Sequence, residues 1–143
     1  MNRMIFVNLP VTDLERSIAF YEAIGATADP YFKGGGAQMM RVSEEICVML
    51  LTHERFSCFT SRRIADAHET AQVLLCLSCG GRDEVNATTQ AAAAAGGQAD
   101  PNPPQEHGDF MYGRSFADPD GHIWELAWMD VAAAMAAGAA QDA

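Results

Sequence analysis

A single glutamate inside an apolar run near the end of the chain is the best candidate for a chemical role. Glu125 is the only charged residue between Ile123 and Trp128. If this run is a β-strand, its residues face alternate sides, so Glu125 shares a face with Ile123 and Ala127, opposite the two tryptophans. A carboxylate at such a place needs a hydrogen-bonding partner, a metal ion, water or a proton. The pattern therefore predicts a ligand-anchoring, metal-binding or general-base role for Glu125.

The residues just before that strand are typical of a tight turn. Asp118 can bond to its own backbone, Pro119 presets φ at the second position, and Gly121 suits a position with positive φ. This order indicates a type I turn closed by a left-handed glycine, which gives a three-residue loop and pairs Asp118 with His122. We therefore predict a β-hairpin here.

The length of this loop decides which residue faces Glu125. A three-residue loop places Ser115 opposite Glu125, so that the carboxylate lies in an open pocket bounded by Gly113 and Ala127. A two-residue loop would instead place Arg114 opposite Glu125 and neutralise it. The Asp-Pro-Asp-Gly order favours the three-residue loop and the open pocket.

Cysteine and histidine residues give weaker signals. Cys76 and Cys79 have the CxxC spacing of zinc and redox sites, but no second pair follows, and residues three apart on a strand face opposite sides. We expect them to be reduced core cysteines. His107 follows a proline-rich loop expected at the mouth of a cavity, where it could contact a ligand. His122 is expected to be a hairpin-edge residue.

The composition indicates one globular domain and excludes two classes of partner. The chain has 143 residues, of which 49% are hydrophobic, which is enough for a full core. Nineteen acidic against nine basic residues give a net charge of -10, which repels nucleic acid and anionic membrane surfaces. The N-terminal residues have the pattern of neither a signal peptide nor a membrane span, so a cytoplasmic location is expected.

The same order of strands and helices is predicted twice along the chain. A strand at residues 4–9 leads into a helix that begins with a capping box, Thr12 to Glu15, and three β-like runs follow. A strand at 73–79, a helix at 82–95 and three further β-like runs repeat this βαβββ order.

These elements predict an α+β fold of two βαβββ modules within one domain, residues 1–143. The first module spans residues 4–53 and the second spans residues 72–130. A linker at 54–71 joins them, and an Ala-rich tail at 131–143 follows.

Two runs, Val7–Tyr21 and Phe116–Trp128, resemble the motifs of the vicinal oxygen chelate superfamily in their order and spacing. This superfamily holds glyoxalase I, extradiol dioxygenases and bleomycin or fosfomycin resistance proteins. The resemblance covers about residues 4–130. It implies paired βαβββ modules whose mixed sheet curls around a cavity, commonly in a homodimer.

The resemblance also implies where metal ligands would lie, on facing positions of the first and last strands of both modules. In this chain those positions hold Phe6, Met49 and an apolar residue within 73–77, and only Glu125 keeps an expected ligand identity. One carboxylate is too few for a divalent ion, so no metal or other cofactor is expected. A divalent metal would need ligands from loops, for which the candidates are His53, His107 and His122.

These observations predict a protein that binds a small organic molecule in the cavity, with Glu125 as polar anchor or general base. The residues expected to contact the ligand are Phe6, Asn8, Met49, His107, Tyr112 and Ser115. Whether the ligand is converted stays open; an enzyme of this kind would be a lyase, an isomerase or a dioxygenase of the glyoxalase type. The alternatives are a metal-dependent lyase or dioxygenase that recruits loop histidines, and a dimer that sequesters a drug or another ligand without catalysis.

Overall fold

The first half of the chain folds into one mixed sheet with a helix packed on one face. The computed structural model describes residues 2–142, with side chains described to residue 138. The first elements are β1 (Ile5–Val11), α1 (Leu14–Ala23), β2 (Thr27–Lys33), β3 (Ala37–Arg41) and β4 (Ile46–Thr52). The strand order is β1-β4-β3-β2, with β1 and β4 parallel and the other neighbours antiparallel. We call this the first sheet.

The second half repeats this arrangement in a second sheet. A short helix, α2 (His53–Phe56), and an irregular linker are followed by β5 (Leu75–Ser78), α3 (Arg82–Ala94), β6 (Gln98–Ala99), β7 (Gln105–His107), β8 (Met111–Ala117) and β9 (Ile123–Met129). The second sheet has the order β5-β9-β8-β6, and β7 also pairs with β8. The parallel pair β5 and β9 corresponds to β1 and β4 of the first sheet. The predicted α+β fold of two βαβββ modules is confirmed.

The Ala-rich tail forms a last helix, α4 (Val131–Asp142). The final residue of the predicted tail, Ala143, lies outside the described residues. Among the helices of residues 2–142, none has the length and apolar character needed to cross a membrane.

An apolar core joins the two helices α1 and α3 to the inner faces of both sheets. Phe20 of α1 packs against Phe116 of β8, with ring centroids 5.9 Å apart. Trp124 and Leu126 of β9 are buried in the same core, as their alternation with Glu125 predicted. Burying a large apolar side chain contributes about 1.5–3 kcal/mol. Because both modules share this core, the outer face of each sheet is turned away from it.

The start of α1 differs from the predicted capping box. Asp13, not Thr12, is the N-cap, and its Oδ1 accepts a hydrogen bond from the Arg16 N–H at 3.1 Å. The backbone N–H and the hydroxyl of Thr12 both donate to Asp120 Oδ1, at 2.9 and 2.8 Å. The capping-box prediction was wrong because a carboxylate of the second module binds Thr12.

A buried polar network in the turn after β8 joins the two modules. The Tyr21 hydroxyl donates to Asp118 Oδ2 at 2.7 Å and accepts from the Trp124 indole N–H at 3.0 Å. Asp118 Oδ1 accepts from the backbone N–H groups of Asp120 and His122. Burial raises the pKa of Asp118. Burial, and then the charge of Asp118, raise the pKa of Tyr21 well above its usual value.

Candidate functional site

The hairpin of β8 and β9 has the predicted register, in which Ser115 pairs with Glu125. The backbone N–H of Asp118 donates to the His122 carbonyl at 2.9 Å, and Gly121 has a φ of 90°. The prediction of a three-residue loop is therefore confirmed.

Glu125 lies half-buried on the outer face of the second sheet, beside a small cavity of about 70 Å³. All of the residues that line this cavity come from the second module: Cys76, Pro103, Gln105, Met111, Gly113, Arg114, Ser115, Glu125, Leu126 and Ala127. Among the side chains described, none forms an ion pair with the Glu125 carboxylate. The carboxylate is therefore free to accept a hydrogen bond from a ligand.

Ser115, one of the predicted ligand contacts, is held by the neighbouring loop. Its hydroxyl accepts from the Asn102 backbone N–H at 3.1 Å and donates to the Asn102 carbonyl at 3.3 Å. The side chain is buried. Ser115 therefore shapes the floor of the cavity and fastens the loop at its rim.

Cys76 is a site residue that the sequence interpretation missed. It pairs with Glu125 across the parallel strands β5 and β9 and is exposed on the outer face, so the prediction of a core cysteine was wrong. Loss of water around the sulfur, and then the Glu125 charge, raise the pKa of the Cys76 thiol. The alternation of Leu75, Cys76 and Leu77 could have revealed this, because both leucines pack on the core.

Tyr112 and Arg114 of β8 make their hydrogen bonds to residues other than Glu125, although Arg114 also lines the cavity. The Tyr112 hydroxyl donates to Asn86 Oδ1 of α3 at 2.7 Å. The Arg114 guanidinium pairs with Asp100 through two hydrogen bonds of 3.0 and 2.7 Å, and this contact lowers the pKa of Asp100. Within one chain Tyr112 therefore does not line the cavity at Glu125, because its side chain faces α3; its contact with a ligand stays a prediction.

The predicted contacts from the first module do not reach Glu125 within one chain. Phe6 is exposed on β1, and Asn8 pairs with Met49 of β4 on the first sheet. None of the three lines the cavity at Glu125, and Asn8 lines a larger cavity beside the linker. A single chain therefore does not form the one shared pocket, because the modules pack through their helices and not through their outer faces; contact of these three residues with a ligand stays a prediction.

The histidines considered as metal ligands are spread over the molecule. The His122 ring bonds to the Pro10 carbonyl through Nε2 at 2.8 Å. His53 begins α2 and His107 lies exposed at the end of β7. In the part of the chain that the structure describes, no three His, Cys, Asp or Glu side chains lie close enough together to hold a metal ion. The residues around Glu125 therefore do not fit the metal centre that the resemblance implies.

Comparison of the fold with solved structures gives similar proteins over most of this chain. A hypothetical protein from S. aureus has 25% sequence identity and a TM-score of 0.73, with 90% of this chain and 94% of that one covered. A glyoxalase/bleomycin resistance protein/dioxygenase family enzyme from Burkholderia phytofirmans has 17% identity and a TM-score of 0.74, with 90% and 99% covered. A fosfomycin resistance protein from Mesorhizobium loti has 14% identity and a TM-score of 0.66, with 94% and 98% covered. The last two likenesses show the fold alone.

Comparison of the sequence with functionally curated proteins gave no significant match. The family model described as Glyoxalase/Bleomycin resistance protein/Dioxygenase superfamily matches residues 3–126, which is most of the chain. The matched part holds the first module, most of the second and the turn before Glu125, so it confirms the resemblance found in the sequence. The chain therefore belongs to the glyoxalase/bleomycin resistance protein/dioxygenase superfamily and has its vicinal oxygen chelate fold.

Proposed function

We propose that the protein binds a small organic molecule against the outer face of the second sheet, with Glu125 as its polar anchor. The observation that supports this most directly is a half-buried carboxylate without an ion-pair partner among the described side chains, beside the small residues Gly113 and Ala127. A hydrogen bond to a charged group contributes about 1.5–3 kcal/mol. A hydroxyl or amine on the ligand would supply the matching donor.

The same carboxylate is well placed to act as a general base on a carbonyl compound. Glu125 would take a proton from the carbon next to the carbonyl, which gives an enolate. Return of the proton to the neighbouring carbon completes an isomerisation. In a lyase reaction a substituent on the next carbon instead departs with its bonding electrons, a carbon–carbon double bond forms, and Glu125 keeps the proton until it passes to the leaving group or to water. The Cys76 thiol, which its raised pKa keeps protonated, can donate a weak hydrogen bond at this site.

We propose that this chemistry does not use a bound metal ion. Glu125 and Cys76 supply two donors, whereas catalytic zinc sites have three protein ligands. Metals bind the thiolate form of cysteine, and the raised pKa of Cys76 disfavours that form. The donor set thus gives less support to the alternative of a metal-dependent lyase or dioxygenase.

We propose further that the working form is a homodimer, in which a second copy closes the Glu125 cavity. A cavity of about 70 Å³ is smaller than typical ligand sites, which measure roughly 300–1,000 Å³. Among the described residues, β1 pairs only with β4, and β5 pairs only with β9. The unpaired edge of β1 exposes Ile5 (54%) and Phe6 (47%), and Val73, in the linker just before β5, is 62% exposed. Joining β1 of one copy to β5 of the other would bring Phe6, Asn8 and Met49 towards Glu125.

The cysteines support a reducing compartment, and we propose the cytoplasm. Cys47, Cys58, Cys76 and Cys79 are all unpaired. Disulfides are rare where thiols are kept reduced, and unpaired cysteines are the rule there.

The anchor role can be tested by NMR titration of ¹⁵N-labelled protein with a panel of small hydroxy-ketones and amino-ketones. Fosfomycin and bleomycin join the panel because structural relatives are named for resistance to them. Bound compounds should shift the backbone amides of Cys76, Gly113 and Ala127. Glu125→Gln should weaken their binding about tenfold or more, equivalent to 1.4 kcal/mol. Glu45→Gln, at an exposed loop carboxylate of the first module, should leave binding unchanged.

Unchanged affinity in Glu125→Gln would contradict the anchor role and favour the sequestering alternative. The base role has its own readout, which is exchange of the carbon-bound protons of dihydroxyacetone in D₂O. Wild type should accelerate this exchange and Glu125→Gln should not. Metal analysis of the purified protein should find substoichiometric metal; a stoichiometric ion that is lost in Glu125→Ala would overturn the metal-independent proposal.

A further inference from the structure

A second, larger cavity lies under the segment that connects the two modules. We call it the linker cavity. Its volume is about 500 Å³, and its walls are linker residues between 60 and 73, Phe56 of α2 and the facing ends of β1 and β9. This volume falls within the range of small-molecule sites, roughly 300–1,000 Å³. Among the described residues, none lines both this cavity and the one at Glu125.

The linker cavity is basic in a strongly acidic protein. Arg62 and Arg63 line it, and no Asp or Glu of the described residues does. The whole chain has a net charge of -10. The ion pairs within the described part of the chain use other arginines, namely Arg16, Arg41, Arg82 and Arg114. The charge of Arg62 and Arg63 is therefore not balanced by a carboxylate in the cavity wall.

The remaining wall residues combine neutral polar groups with apolar surface. Thr60 and Gln72 carry neutral hydrogen-bonding groups, and Phe56, Ile64 and Val73 carry apolar surface. This combination matches a molecule with a charged head and a short apolar body, because ligand sites are mostly apolar with a few placed polar groups.

The turn before β9 is bound to β1 on one side and packed against the linker on the other, and these contacts keep the cavity preformed. His122 Nε2 lies 2.8 Å from the Pro10 carbonyl oxygen, which ties the hairpin turn to β1. On the other side of the turn, a Cβ atom added at Gly121 would lie 2.7 Å from the His68 backbone nitrogen. The linker is thus packed closely on the turn. A preformed cavity loses less entropy when a ligand binds.

We propose that the linker cavity binds a small organic anion, with a carboxylate or phosphate head that is held by Arg62 and Arg63. Guanidinium groups form paired, charge-assisted hydrogen bonds with either head group. The uncompensated charge, the volume and the mixed wall all point to this ligand class. Because no described residue lines both cavities, the proposal does not depend on the anchor role of Glu125.

The test uses benzoate and phenyl phosphate as anionic probes and benzamide as their neutral counterpart. In NMR titrations of the full chain, the anions should shift the amides of residues 60–73 and 121–123, and benzamide should bind about tenfold more weakly or worse. The double variant R62Q/R63Q should lose about tenfold or more of the anion affinity. Replacing both arginines by lysine should keep part of it, because lysine retains the charge without the planar fork.

The matched control is R3Q/K33Q, which removes two exposed positive charges outside the linker cavity. This control and Glu125→Gln should bind the anions as wild type does. Equal affinity for benzamide, an equal loss in the control, or no saturable binding of either anion would overturn the proposal. Whichever of benzoate and phenyl phosphate binds more tightly shows whether the site prefers a carboxylate or a phosphate head group. Circular dichroism of R62Q/R63Q shows that an affinity loss does not come from unfolding.

Discussion

At the scale of the residue, Asp118 is a buried acidic side chain that binds both the first module and its own turn. Its carboxylate lies in the core between Tyr21 and the backbone of the turn. The nearby His122 and the Tyr21 hydrogen bond lower its pKa, but burial outweighs them, and the pKa is raised overall. Folding therefore favours the protonated form of this one acid.

This shift predicts how stability depends on pH. The stabilisation linked to Asp118 is complete below the pKa of the unfolded chain, about 3.9, and is lost as the pH rises through the raised pKa of the folded state. The Asp118→Asn variant lacks this pH dependence of stability, because an asparagine side chain does not titrate in this range. The free energy of unfolding of Asp118→Asn relative to wild type should therefore rise between about pH 4 and pH 7 in urea titrations.

The matching control for this pH series is Asp109→Asn, at an exposed carboxylate between β7 and β8. Its free energy of unfolding relative to wild type should stay level over the same range. If the Asp118→Asn difference also stays level, or falls as the pH rises, burial does not govern the charge of Asp118.

At the scale of the element, the turn between β8 and β9 holds the linker as well as the hairpin. Gly121 has positive φ and faces the backbone of Ala67 and His68 so closely that there is no room for a side chain. Gly121 is therefore required both by the backbone conformation of the turn and by the close packing of the linker on it.

Gly121→Ala should therefore destabilise the protein more than loss of a turn glycine alone. The change adds a backbone collision at His68 to the cost of positive φ, which is about 1–2 kcal/mol. Gly96→Ala is the control, because Gly96 has a φ of 100° and open space around it. Thermal unfolding should rank wild type above Gly96→Ala and Gly96→Ala above Gly121→Ala. Hydrogen exchange at residues 66–70 should rise only in Gly121→Ala; equal effects of the two variants would show that the linker does not depend on this contact.

At the scale of the whole molecule, the edges of β1 and β5 that are unpaired among the described residues are suited to association with a second copy. Exposed strand edges with apolar side chains are prone to pair with another chain, and a two-fold pairing of this kind closes on itself. In this protein such a pairing would also supply the wall that the Glu125 cavity lacks.

The dimer can be tested by light scattering after size-exclusion chromatography. Wild type should have the mass of two chains, and Ile5→Lys should have the mass of one, because the change puts a charge on the exposed edge of β1. Tyr31→Lys is the control, since Tyr31 is 86% exposed on β2, at the other side of the first sheet. A monomeric wild type, or an equal effect of both variants, would refute the proposed interface.

More of the fold than of the candidate site could be predicted from the sequence, and the reasons are physical. The alternation around Glu125 and the residues of its turn carry local information, so the hairpin register followed from sequence alone. The placement of Phe6 and Met49 depends on how two modules pack, which no local pattern encodes. Thr12 shows the same limit, because its hydrogen bonds go to Asp120, 108 positions later.

The faces on which Cys76 and Tyr112 lie were not predicted, for a different reason. Their facing directions followed from alternation on β5 and β8, but the strand boundaries and partners had to be known first. Arg62 and Arg63 belong to no sequence motif that would have indicated a binding site. Only the packing of the linker on the hairpin turn places them beside a cavity.

The hydrogen bonds of Asp118 and Asp120 to the first module have a consequence for synthesis of the chain. A ribosome releases the first module well before these two carboxylates emerge, and domains form as units when their contacts become available. Until then Thr12 and Tyr21 lack their partners of the mature fold. A nascent chain stalled before residue 118 should therefore expose its first helix to chaperones and proteases, and translation of the last hairpin should end that vulnerable period.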